Sequence, residues 1–146
     1  VSELEDRDLI IPVEGVTADQ LTRSFSQARG DSRRHEAIDI LAPRNTPVKA
    51  VDEGRIARLF QSKAGGITIY QFDATERYCY YYAHLERYAE GLQEGDAVKK
   101  GEVIGYVGTS GNAPKDTPHL HFAVFRLSEA KRWWEGTPID PFDILQ

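Results

Sequence analysis

From Ile38 onward, apolar residues recur at every second position far more often than at a helical spacing, in short runs divided by turn residues. A period of 2 sends successive side chains to opposite faces of an extended strand. The pattern therefore predicts a mainly β fold of antiparallel strands. Val48-Lys49-Ala50-Val51 leads into the turn Asp52-Glu53-Gly54, and Arg55-Ile56-Ala57-Arg58-Leu59-Phe60 alternates for part of its length. Gly65-Gly66 precedes Ile67-Thr68-Ile69-Tyr70-Gln71-Phe72, a run rich in β-formers. Asp73-Ala74-Thr75-Glu76 reads as a hairpin loop, with Tyr78-Cys79-Tyr80-Tyr81-Tyr82 as the returning strand. Val98-Lys99-Lys100-Gly101 and Val103-Ile104-Gly105-Tyr106-Val107-Gly108 supply further short strands and turns, and residues 109–118 hold Gly, Asn and Pro and read as a loop.

With 146 residues the chain is long enough for one domain with a core that needs no staple. Residues 1–24 read as a lead-in and 25–146 as the core domain. In the lead-in, Leu9-Ile10-Ile11-Pro12-Val13 predicts a short strand, and Thr17-Ala18-Asp19-Gln20-Leu21 a helical turn with a capping residue. Near the other end, Trp133-Trp134 reads as a packing lid and Thr137-Pro138-Ile139-Asp140-Pro141 as extended chain. No apolar run approaches the ~20 residues that cross a bilayer, so this segment is not expected to span a membrane. Val1-Ser2-Glu3-Leu4-Glu5-Asp6 is polar and acidic, unlike a signal peptide. A net charge of −5 argues against a nucleic-acid partner, which demands a basic face. Cys79 is the one cysteine, so neither an intrachain disulfide nor a thiolate cage is possible; it reads as a small buried residue.

Placement, not number, makes the four histidines informative. His119 and His121 flank Leu120 just after Pro118 and before the apolar run Phe122-Ala123-Val124-Phe125. On a strand they point to one face and can converge on one point, whereas on a helix they would diverge by roughly 200°. His35 and Asp39, spaced i, i+4, form a second pair. Two imidazoles and a carboxylate suit a catalytic Zn²⁺ that keeps one position open, and equally a non-haem Fe(II) site. Ser110, in Gly108-Thr109-Ser110-Gly111, offers a Ser–His–Asp alternative, but no strand–Gly-x-Ser-x-Gly–helix context surrounds it. Its glycines are better explained as turn residues.

Four blocks in order resemble the lysostaphin-like (LytM-type) zinc metallopeptidases that cut peptidoglycan. They are Arg34-His35-Glu36-Ala37-Ile38-Asp39-Ile40 with Ala42-Pro43 and Thr46-Pro47-Val48, then Tyr82-Ala83-His84-Leu85, then Val98-Lys99-Lys100-Gly101-Glu102-Val103-Ile104-Gly105, and Pro118-His119-Leu120-His121-Phe122. The resemblance implies that His35, Asp39 and His121 hold one Zn²⁺ per chain, and that His119 and His84 are the two catalytic histidines that do not bind metal. It implies the lysostaphin-type peptidase fold, an antiparallel β-sheet sandwich or open barrel with few short helices, and an endopeptidase acting on peptidoglycan cross-links or stem peptides, located in the periplasm or cell envelope. His119 is then placed to take a proton from the attacking water, and either histidine to serve the oxyanion or the leaving amine. A monomer is expected, with room for a regulatory protein partner.

Two departures stand out. Ala37 occupies a position where the family usually has Gly, and the loop of residues 111–118 is longer than the family's usual turn. The competing functions are a non-catalytic module of the same fold that binds cell wall or activates a hydrolase, and a biotinyl- or lipoyl-type carrier. The carrier needs a Lys on a tight hairpin, usually flanked by Met, and this chain has no Met.

Overall fold

The structure, a computed structural model, describes residues 9–16, 28–29, 33–34, 38–63, 65–111, 116, 118–127 and 136–139. Its strands are β1 (Ala28–Arg29), β2 (Arg33–Arg34), β3 (Ile38–Leu41), β4 (Pro47–Lys49), β5 (Gly54–Ser62), β6 (Gly66–Asp73), β7 (Tyr78–Tyr88), β8 (Ala97–Val98), β9 (Val103–Val107), β10 (His119–Leu127) and β11 (Gly136–Ile139). β1 and β2 form a separate two-stranded ribbon, and the other nine strands make one connected antiparallel sheet. Its main path runs β11-β10-β7-β6-β5-β8, with β3 on β10 and β9 joining β7 to β4. The sheet does not close into a barrel among the described residues. Among the described residues there is no helix, so the few short helices expected from the sequence are not found there.

Alternation explains the core. Ile38 and Ile40 of β3, Tyr80 and Tyr82 of β7, and Leu120, Phe122 and Val124 of β10 lie two residues apart and are all buried in one cluster. Ile56, Ile69, Leu85 and Ile104 join it from neighbouring strands. The intervening residues of β3, β7 and β10 face the other way, and Asp39, His119 and His121 are among them. A smaller cluster, Phe72, Cys79 and Leu127, packs separately. Cys79 is fully buried there, and its thiol is pushed up to about 12, first by burial and then by the nearby Asp73 charge. A thiol kept protonated in this way is a poor nucleophile.

One end of the core carries a buried polar network. The Val51 N–H donates to the Tyr82 hydroxyl (3.1 Å), which donates to Gln71 Oε1 (2.6 Å). Gln71 Nε2 donates to the Asp52 carbonyl (2.8 Å), and the Tyr80 hydroxyl to Asp52 Oδ2 (3.2 Å). Buried polar groups are tolerated only when paired in this way. Tyr82→Phe is expected to strand the Val51 N–H and the Gln71 carbonyl and to lower unfolding free energy by about 1–3 kcal/mol. Urea unfolding checks this, and an unchanged midpoint would remove the network from the stability account.

Two elements differ from the sequence expectation. The strand expected at residues 9–13 reduces to one bridge, Val13 to Val48. Pro12 has no N–H to extend a ladder, although its carbonyl accepts from the Lys49 N–H (2.8 Å) and Leu9 and Val13 still enter the core. The returning strand expected at residues 78–82 continues to Tyr88. Its register slips against β6, where Ile67 faces Leu85 but Ile69 faces Tyr82. That slip is a β-bulge: an extra residue enters between Tyr82 and Leu85, and both still reach the core. The helical turn expected at residues 17–21 and the Trp133-Trp134 lid lie outside the described residues.

Candidate functional site

β10 is the strand on which the site is assembled. It has β7 along one edge, and β3 followed by β11 along the other. His121 therefore sits between two partners, Asp39 of β3 and Ala83 of β7. His119 lies opposite Leu41 of β3 and makes an isolated bridge to Gly108. Directly opposed residues share a face, so Asp39, His119 and His121 meet on the face away from the core.

His84 reaches the same face through the bulge. Its backbone is left-handed, with φ of 61°. A side chain there costs roughly 1–3 kcal/mol and persists only when its surroundings enforce it. The His84 N–H donates to the Gly65 carbonyl (2.8 Å). Its ring stands 5.1 Å from that of His119 and 5.6 Å from that of His121, centroid to centroid, both near edge-to-face.

The polar contacts centre on Asp39. Its Oδ1 lies 3.1 Å from His121 Nδ1 and 3.7 Å from His119 Nε2. His84 Nδ1 is 2.8 Å from the Ser110 carbonyl oxygen. A carbonyl only accepts, so Nδ1 carries the proton. Burial, the largest influence, holds the His84 pKa below its usual value; the Ser110 bond opposes this, and the two neighbouring histidines add to it. The neutral ring then keeps its lone pair on Nε2. Tyr81 sets its ring at 85° to that of His121, 6.0 Å away, and packs on Tyr70 at 4.8 Å. Burial raises both phenols, so both stay protonated at neutral pH.

Of the five residues singled out in the sequence, Asp39, His84, His119 and His121 come together. His35 and Ala37 lie outside the described residues, as does most of the loop at residues 111–118. Among the described residues no group of three such side chains is set to hold a metal. The donors that are described fit one. Two ligands of a tetrahedral Zn²⁺, each bound at about 2.0–2.2 Å, stand roughly 3.4 Å apart, and Asp39 Oδ1 and His121 Nδ1 are within a few tenths of an ångström of that.

The sequence reading missed the partner of His84. Ser110 meets that histidine through its carbonyl, while its hydroxyl donates to the Leu85 carbonyl (2.6 Å). Ser110 and His84 therefore do not form a Ser–His pair of the nucleophilic kind. Glycines in two distant segments, Gly65-Gly66 and Gly108 with Gly111, were the available signal, since glycine marks close backbone approach.

Comparison with known proteins gives one family model, that of Peptidase family M23, matching residues 33–141. The L-Ala--D-Glu endopeptidase of Bacillus subtilis (strain 168) is 34% identical over 122 residues, covering 80% of this chain and 36% of that protein. The DD-carboxypeptidase/endopeptidase Mpg of Neisseria meningitidis is 35% identical over 116 residues, covering 77% of this chain and 23% of that protein. This chain thus spans about a third or less of the length of these relatives. The catalytic domain of the antimicrobial peptidase lysostaphin from Staphylococcus simulans superposes with a TM-score of 0.68 at 26% identity, covering 99% of this chain and 96% of that domain.

Proposed function

The chain belongs to peptidase family M23, and from that premise we propose that it is a zinc-dependent endopeptidase that hydrolyses peptide cross-links or stem peptides of bacterial peptidoglycan. In this reading His35, Asp39 and His121 hold one Zn²⁺, and His119 and His84 serve acid/base chemistry. What carries it is the convergence of Asp39, His84, His119 and His121 from three separate strands onto one face.

Bound there, the ion supplies Lewis acidity, acidifying water and polarising a scissile carbonyl. His119, beside Asp39 and His84, takes the proton that the attacking water loses and returns a proton to the departing amine. His84 supplies a second, neutral imidazole to the same space. Leu41, exposed and directly opposite His119, offers an apolar surface to a substrate side chain. An envelope or periplasmic location goes with such a substrate, as do relatives named for endopeptidase activity.

The test is mass spectrometry of fragments released from purified sacculi, with and without a chelator. The expected result is peptide fragments whose ends identify the cleaved bond, abolished by chelation and restored by added Zn²⁺. Zinc-loaded protein that binds sacculi and releases nothing would favour a non-catalytic wall-binding module of the same fold. Release that survives complete metal removal would overturn the zinc assignment.

A further inference from the structure

We propose that Ser110 is a positioning residue for His84, holding that ring in one orientation and one tautomer; the catalytic part of this rests on the function proposed above. Three bonds converge. The Ser110 carbonyl accepts from His84 Nδ1–H (2.8 Å). The Ser110 hydroxyl donates to the carbonyl of Leu85, the residue after His84 (2.6 Å). The same oxygen accepts from the Ile67 N–H at the start of β6 (3.0 Å). One serine therefore ties the loop before β10 to both strands that flank the bulge, and it is the carbonyl so fixed that orients the imidazole.

Two backbone observations point the same way. His84 is left-handed, a conformation that a non-glycine residue keeps only under external constraint. Gly66 is also left-handed (φ 72°), and a side chain there would collide with the Ser110 and Gly111 backbone and the Ser110 hydroxyl. A bare glycine is what lets Ser110 approach closely enough to make its bonds. With Nδ1–H committed, Nε2 of the neutral ring can accept a hydrogen bond and cannot donate one. Ser110 thereby fixes which ring nitrogen of His84 bears the proton.

The experiment is a double-mutant cycle on the zinc-loaded chain, with Ser110→Ala, Ser110→Thr, His84→Ala and the Ser110→Ala/His84→Ala double variant. Ser110→Ala is expected to lower kcat about tenfold, since misplacing a catalytic group by a fraction of an ångström costs on this scale, with KM and zinc content unchanged. Ser110→Thr, which keeps the hydroxyl, is expected to recover most of the loss. In the His84→Ala background, Ser110→Ala is expected to cost nothing further. Equal losses in both backgrounds, loss of zinc, or no loss in either would overturn the proposal. ¹⁵N NMR of the His84 ring gives a readout independent of turnover. The Nδ1–H tautomer is expected in wild type and a mixture in Ser110→Ala; the same single tautomer in both would refute the role even if the chain hydrolysed no substrate.

Discussion

His121→Ala is expected to remove zinc and hydrolysis together. The histidine provides one of two donors that stand 3.1 Å apart across the β3–β10 pairing. Alanine removes the nearer ring nitrogen and leaves His119 Nε2 3.7 Å from Asp39 Oδ1. Metal-ion catalysis is worth several kcal/mol of transition-state stabilisation, which at about 1.4 kcal/mol per tenfold is a loss of at least about 10³ in kcat/KM. The same variant should melt earlier in the presence of zinc, because a ligand at 100 times its Kd stabilises a fold by about 2.7 kcal/mol. Metal analysis, a melting curve with and without zinc, and sacculus digestion check the three parts. A variant that kept one zinc per chain would move His121 out of the metal set.

His119→Ala is expected to separate the two properties that His121→Ala removes together. His119 stands farther from the Asp39 carboxylate (3.7 Å) and close to His84. As an acid/base group it would leave zinc content near wild type and cost about 10²–10⁴ in kcat. The loss should fall on kcat with little change in KM, since proton transfer matters in the transition state and not in ground-state binding. Wild-type digestion rates from His119→Ala would refute the role. Loss of zinc would make His119 a ligand or a support for one.

Much of the fold was readable because alternation survives wherever a strand buries one face. The run at residues 67–72 became β6, Gly66–Asp73, almost unchanged. His119 and His121 share a face for the same reason, and β3 follows the rule too, with Ile38 and Ile40 inward and Asp39 outward. The extent of β7 was not readable. A bulge breaks the period of 2, so Ala83-His84 looked like the end of a strand when it lies inside one. His84 could be assigned a role only by resemblance, since its approach to the other histidines depends on that bulge and on a positive φ that histidine adopts seldom. Its bond to Ser110 left only an indirect trace, the glycines at 66 and 111 that let the two segments approach. The bond joins a ring to a backbone carbonyl 26 positions away, and any residue has such a carbonyl.

The position of β10 between β3 and β7 also governs when the converging side chains can meet. Asp39 and His121 are 82 positions apart in the chain, and the strand that joins them is the tenth of the eleven described strands. Sheets closed by such distant pairs form slowly, because loop closure is paid before any contact rewards it. A nascent chain that has reached Tyr88 carries Asp39 and His84 but neither histidine of β10, so a fragment that ends before His119 lacks two of the four residues that converge. Under the proposed function, hydrolytic capacity waits until β10 has been added between β3 and β7.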